Sequence, residues 1–303
     1  MKGHPMQKIV PNLWFNHNAS EAVQFYTSAF GDAEVIDTQY YPHEGLLDFQ
    51  EELAGQELMI EFTLAGYHLI AINAGPEFTP NPSLSLMVNF DPSRDPAARE
   101  HLDELWNALS DGGQALMPLQ SYDFSPHYGW IQDRHGISWQ LILTNPDGEP
   151  RPMIVPTLLF GDGVQNRAAE AAAYYLETFP GSRTGTDVRY QEQVGPAVPG
   201  SVMFSDIELF GQWFALMDSA VEQDFTFNNA VSLMVECDDQ AEIDRYWAAL
   251  SAVPEAEQCG WCTDRFGVSW QIIPVNMGEL MSTPNAFPTM LAMRKIDIAG
   301  FSV

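Results

Sequence analysis

Basic residues, cysteines and long apolar runs are all scarce in this sequence, and each scarcity removes a class of function. Thirteen lysines and arginines stand against forty-one aspartates and glutamates, a formal charge of −28. So acidic a surface repels phosphate backbones and anionic headgroups, which argues against nucleic-acid and membrane-surface roles. No stretch approaches the roughly 20 apolar residues that span a bilayer. Pro11 interrupts the one apolar run near the N-terminus, so no signal peptide is expected and the location reads as cytoplasmic. Three cysteines in 303 residues make no disulfide framework. Histidine is missing from the second half: all seven lie between His4 and His135, with no i, i+4 pair on a helix.

What is present is repetition. Residues 128–140, YGWIQDRHGISWQ, align without a gap on 259–271, CGWCTDRFGVSWQ, with eight of thirteen positions identical. Ile9-Val10-Pro11 returns as Ile154-Val155-Pro156, EAVQFYTSAFG (21–31) as EAAAYYLETFP (170–180), and SLMV (85–88) letter for letter at 232–235. The same elements in the same order mean a tandem duplication. Its joint is the turn-rich Asn145-Pro-Asp-Gly-Glu-Pro150, giving domains of 1–147 and 148–303.

Each half reads as strand, helix, three strands, twice over. Ile9–Asn16 is a strand, Asn18-Ala-Ser-Glu21 a capping-box-like helix start, and Ala22, Phe25, Tyr26, Ala29 and Phe30 an apolar stripe. The pattern restarts at Leu84–Phe90, with a helix from Asp95-Pro96. The fold class expected is α+β: four βαβββ modules with curved mixed sheets and helices outside.

The eye-catching Cys259-Gly-Trp-Cys262 falls where the first half has Tyr128 and Ile131. In a strand, residues three apart point to opposite faces, so this CxxC is read as two small buried residues rather than a redox or zinc pair. Gly161-Asp-Gly163 is the nearest approach to a nucleotide-binding turn and is too short for that fingerprint.

The motifs Asn12-Leu-Trp-Phe15, Glu21-Ala…Phe25-Tyr26…Phe30, Phe62-x-Leu-x-Gly66, Gly75-Pro-Glu-Phe78, Ser232-Leu-Met-Val-Glu-Cys237 and Gly260-Trp…Asp264-Arg-Phe-Gly-Val-Ser-Trp-Gln271 resemble the vicinal-oxygen-chelate superfamily of glyoxalases, bleomycin-resistance proteins and extradiol dioxygenases. The nearer resemblance is to its PhnB-like branch, also labelled demethylubiquinone-methyltransferase-like, whose single-domain members pair as dimers. The chain reads as such a pair fused, an internal pseudo-dimer that can pair again as a homodimer. The resemblance implies metal ligands at the start of first strands and the end of last strands. Those positions fall on Pro11 and Pro156, near Ser83 and Ala230, and on Gln140 and Gln271, with Glu61 and Asp206 as the surviving middle-strand carboxylates. No metal ligand set and no cofactor is therefore expected.

Strand alternation then places Glu61 and Thr63, Ser138 and Gln140, and Pro11, Leu13 and Phe15 on pocket-facing sides, with Trp139 and Trp270 toward the helices. Tyr128, Trp130 and His127 belong to an aromatic mouth with Tyr122 and Phe124, and Asp206, Gln271 and Trp261 are the second half's counterparts. The expected partner is a small apolar or aromatic molecule. Two readings stay open: a binding protein without the superfamily's metal, and a lyase, isomerase or dioxygenase using Glu61 as base or ligand. The methyltransferase label ranks behind both.

Overall fold

The computed structural model describes residues 7–46, 48–283 and 285–302; His4 lies outside them. The first half runs β1 (Ile9–Asn16), α1 (Ala19–Ala29), β2 (Ala33–Tyr40), β3 (Glu57–Leu64) and β4 (Tyr67–Ala74), then β5 (Leu84–Phe90), α2 (Ala98–Ser110), β6 (Gln114–Tyr122), β7 (Ser125–Gln132) and β8 (Ser138–Leu143). The second runs β9 (Ile154–Phe160), α3 (Ala168–Thr178), β10 (Arg183–Arg189), β11 (Val202–Leu209) and β12 (Gln212–Asp218), then β13 (Val231–Cys237), α4 (Gln240–Leu250), β14 (Trp261–Thr263) and β15 (Ser269–Pro274). Two short helices, α5 (Met277–Met281) and α6 (Ala286–Leu291), follow. The fourth module is one strand short. Cys259 and Gly260, at φ 51° and 86°, form a tight turn, and their amides donate to Met293 and Arg294 of the C-terminal segment.

The α+β architecture is as expected, but its connectivity corrects one expectation. Neither curved sheet belongs to one half. The seven-stranded sheet, β14-β15-β13-β1-β4-β3-β2, joins the first module to the fourth, and the eight-stranded sheet, β10-β11-β12-β9-β5-β8-β7-β6, joins the second to the third. The seams are antiparallel, with Ile9 opposite Val235 and Leu84 opposite Leu158. Each concave face is thus lined from both halves, rather than each half closing a pocket of its own.

Helices cover the convex faces, and one contiguous core fills that side. Trp139 and Trp270 are buried there as expected. Each indole N–H donates to the aspartate of the preceding Asp-x-x-Gly turn: Trp139 Nε1 to Asp133 at 2.7 Å, Trp270 Nε1 to Asp264 at 2.9 Å. The same carboxylates accept the backbone N–H groups of 135 and 137, or of 266 and 268. The turn motif is a structural lock. Asn18 makes no side-chain cap on α1; the first amides of α1 and α3 are held instead by Asn73 Oδ1 and Asp218 Oδ1 at the ends of β4 and β12. Among the described residues no helix is long and apolar enough to cross a membrane.

Candidate functional site

Strand β1 is buried on both faces, and its orientation is the reverse of the one expected. Leu13 and Phe15 join the helix-side core, Phe15 with its ring 6.4 Å from His135. Val10 faces the concave side with Ile70 and Met234. Asn12 and Trp14 share that side by alternation. Phe15 is therefore a core residue and not a pocket residue.

Across the concave face of the seven-stranded sheet runs one row: Gln271, Ser232, Asn12, Ile70 and Glu61. Gln271 Nε2 donates to Ser232 Oγ at 3.0 Å, Ser232 lies opposite Asn12, Asn12 beside Ile70, and Ile70 opposite Glu61. Half-buried Met59, Ile72 and Ile273 complete the wall, and Trp261 lies opposite Gln271 with its ring 6.1 Å from Trp14. The eight-stranded sheet repeats the row as Gln140, Ser85, Thr157, Ala215 and Asp206. Met87, Val155 and Trp213 wall it.

Glu61 and Gln140 were expected to converge, and the exchange of modules separates them into different sheets. Glu61 shares its face with Gln271, and Gln140 with Asp206. Tyr128, Ser138 and Trp130 do gather around Gln140: the Tyr128 hydroxyl donates to Gln140 Oε1 at 2.7 Å, and Trp130 Nε1 donates to Ser138 Oγ at 2.7 Å. Phe124 and Tyr122 pack on Tyr128, with ring centroids 4.9 and 5.6 Å away. His127, one position before Tyr128, points to the other face. Its Nε2 meets Asp103 Oδ1 at 2.5 Å, and Arg99 approaches its Nδ1 at 3.3 Å, both from α2. His127 is a helix-docking residue, outside the mouth.

Two further residues take part that were not expected at the site from sequence. His68, across the β3–β4 hairpin, brings Nε2 within 3.5 Å of Glu61. Arg151, from the linker, brings Nε to 2.7 Å from Asp206 and lays its guanidinium 3.7 Å over the Trp213 ring. The duplication sets His68 at the place of Trp213, so the two concave faces have diverged around matched acids.

The cysteines are free and do not form a site. Burial pushes the Cys259 thiol up to about 11 and Cys237 to about 12, and holds Cys262 well up too. Since the thiolate is the reactive form, labelling by a thiol reagent at pH 8 should be slow on the folded chain and complete in urea. Fast labelling of folded protein would restore a redox role. A half-open cleft of about 630 Å³ between α1, α2 and the linker is lined by Phe30, Phe90, Leu105 and Met153, with Asp32 and Asp91 among its polar residues. It contains none of the pocket residues expected from sequence and no member of either row, though Arg151 lines one side of it.

A family profile described as 3-demethylubiquinone-9 3-methyltransferase matches residues 7–142 and again residues 152–273. The chain belongs to this family. It is a PhnB-like protein carrying the family unit twice, in the vicinal-oxygen-chelate fold. A PhnB protein from Bacillus cereus, itself named for 3-demethylubiquinone-9 3-methyltransferase, is 34% identical over 46% of this chain and 100% of its own, with a TM-score of 0.39. A protein from Pseudomonas aeruginosa is 24% identical over 46% of this chain and 98% of its own, with a TM-score of 0.36. A glyoxalase I mutant from Zea mays is 10% identical yet covers 88% of this chain and 93% of its own, at a TM-score of 0.50, a likeness of fold alone. No curated protein matches the sequence.

The fold's catalytic metal can be tested against the rows. First strands contribute Asn12, Thr157, Ser232 and Ser85, not the prolines expected from sequence, and last strands contribute Ile70, Ala215, Gln271 and Gln140. These are hydroxyls, neutral amides and hydrocarbon, a poor match to a divalent ion that wants imidazole and carboxylate. Among the described residues no group of three or more His, Cys, Asp or Glu is arranged around a common point. The residues do not fit the metal.

Proposed function

We propose that this PhnB-like protein binds a small molecule with an apolar body on the concave face of its seven-stranded sheet, without a catalytic metal. The observation that carries the reading is the row Gln271–Ser232–Asn12–Glu61, neutral polar groups and one carboxylate set in an apolar wall, the usual composition of a small-molecule site. The methyl transfer in the family's name asks for a nucleotide-type donor. Gly161 gives it no cradle: a Cβ there would meet Gln223 at 2.9 Å.

Elemental analysis of untagged, chelator-free protein should find no stoichiometric zinc, nickel, manganese or iron, even after supplementation. A stoichiometric metal would return the protein to glyoxalase or dioxygenase chemistry. In a thermal-shift screen, a ligand at 100 times its Kd should add about 2.7 kcal/mol of stability, and Glu61→Gln should reduce that gain. The 3.5 Å approach of His68 to Glu61 favours a second reading, proton transfer by Glu61 on the bound molecule. That reading requires turnover lost in Glu61→Gln with binding retained.

A further inference from the structure

We infer that the cup of the seven-stranded sheet takes a ligand whose polar end is a planar, hydrogen-bond-donating cation of the amidine or guanidine class, and that Arg151 fills the equivalent place in the other cup from within the chain. The inference rests on the binding reading above and names the ligand chemistry of the same site.

The eight-stranded sheet is satisfied internally. Asp206, its side chain 5% exposed, takes Arg151 on both oxygens, at 2.7 and 3.4 Å, and accepts the Thr186 amide. Gln140 Oε1 is taken by Tyr128, and the Thr157 hydroxyl donates to the Val155 carbonyl. Gly185 lets β10 close over the acid, since a Cβ there would lie 2.1 Å from Asp206 Oδ1.

The seven-stranded sheet holds the same acceptors without those partners. Asn12 is 1% exposed, and one amide atom faces the Val10 carbonyl at 3.0 Å, so that atom is the nitrogen. Among the described residues the other, Oδ1, has no protein partner. A buried acceptor left unpaired is costly, and such groups usually await a ligand or water. The tyrosine that would serve Gln271 is replaced by Cys259. Among the described residues His68 is the one basic group in ion-pair reach of Glu61, and Glu236 lies near both, with Lys8 also acting on it. Acceptors outnumber donors, the flanks are Val10, Ile70, Met234 and two indoles, and a formal charge of −28 attracts cations to the surface. Arg151 shows the chemistry that completes such a face: a planar donor cation on a carboxylate.

Benzamidine, benzamide and benzoate, matched in shape and differing in charge, test this by titration calorimetry on the full chain. Benzamidine should saturate one site, with the other two at least about tenfold weaker, and Glu61→Gln or Asn12→Leu should weaken it at least about tenfold while melting near wild type. In Arg151→Ala, methylguanidine should raise the melting temperature by more than in wild type, because it refills the second cup. Equal shifts would remove the equivalence of the cups. Benzamide or benzoate binding as tightly as benzamidine would end the cation inference and leave the binding reading standing. Failure of all three, and of every member of a charge-diverse library, to bind would end both.

Discussion

Replacing Arg151 by alanine should cost the folded chain about 3–5 kcal/mol, the penalty for stranding a buried charge. Asp206 and Arg151 are 5% and 13% exposed at their side chains, so the carboxylate loses a largely dry counter-charge that water replaces poorly. The guanidinium also covers the Trp213 ring, and its loss removes apolar contact as well as charge. Urea unfolding gives the number. Arg151→Met combined with Asp206→Asn should recover most of the loss, since no charge is then left buried. A single variant that loses less than about 1 kcal/mol would place the pair among surface ion pairs of little consequence.

Asp264→Ala should be of similar size, about 4 kcal/mol or more. It leaves four donors without an acceptor: Trp270 Nε1, the Tyr175 hydroxyl at 2.7 Å, and the amides of Phe266 and Val268. Each buried orphan costs about 1–3 kcal/mol. Asp264→Asn keeps an acceptor oxygen and should lose less. Its pH dependence has a definite sign. Burial raises the Asp264 carboxyl above the ordinary range near 4, so the folded chain binds this proton more tightly than the unfolded chain. Its stabilisation is complete below the unfolded value and is lost as pH rises through the folded one. The asparagine variant lacks that decline, so its stability relative to wild type should improve as pH rises from about 4. A pH-independent difference between the two would refute the buried, elevated carboxyl.

The duplication, the module order and the two core indoles were legible because they repeat at fixed spacing and alternate cleanly. Strand β3, ELMIEFTL, shows Glu61 and Thr63 against Phe62 and Leu64, and its faces are as read. Strand β1, IVPNLWFN, is buried on both sides, so alternation carries no orientation, and Leu13 and Phe15, expected to face the pocket, lie in the helix-side core. His68 had a signal that a hairpin reading offers: a turn at Ala65-Gly66 sets His68 opposite Thr63 and diagonal to Glu61. Arg151 had none, since a lone arginine after a turn-rich linker does not say which strand it returns to. The pairing of β1 with β13 leaves no local trace either, which is why Glu61 was matched with the wrong glutamine.

That pairing also orders events in time. The eight-stranded sheet is built from modules adjacent in the chain, and its strands run from Leu84 to Asp218, so it can close while the rest is still emerging from the ribosome. The seven-stranded sheet needs Ile9 to find Val235, and until then β1 offers an unpaired apolar edge. Closing so long a loop is slow, and such an edge is where newly made chains associate wrongly. In this chain the face proposed to bind ligand is the last to exist, so a ligand that completes it would also draw the final folding step forward.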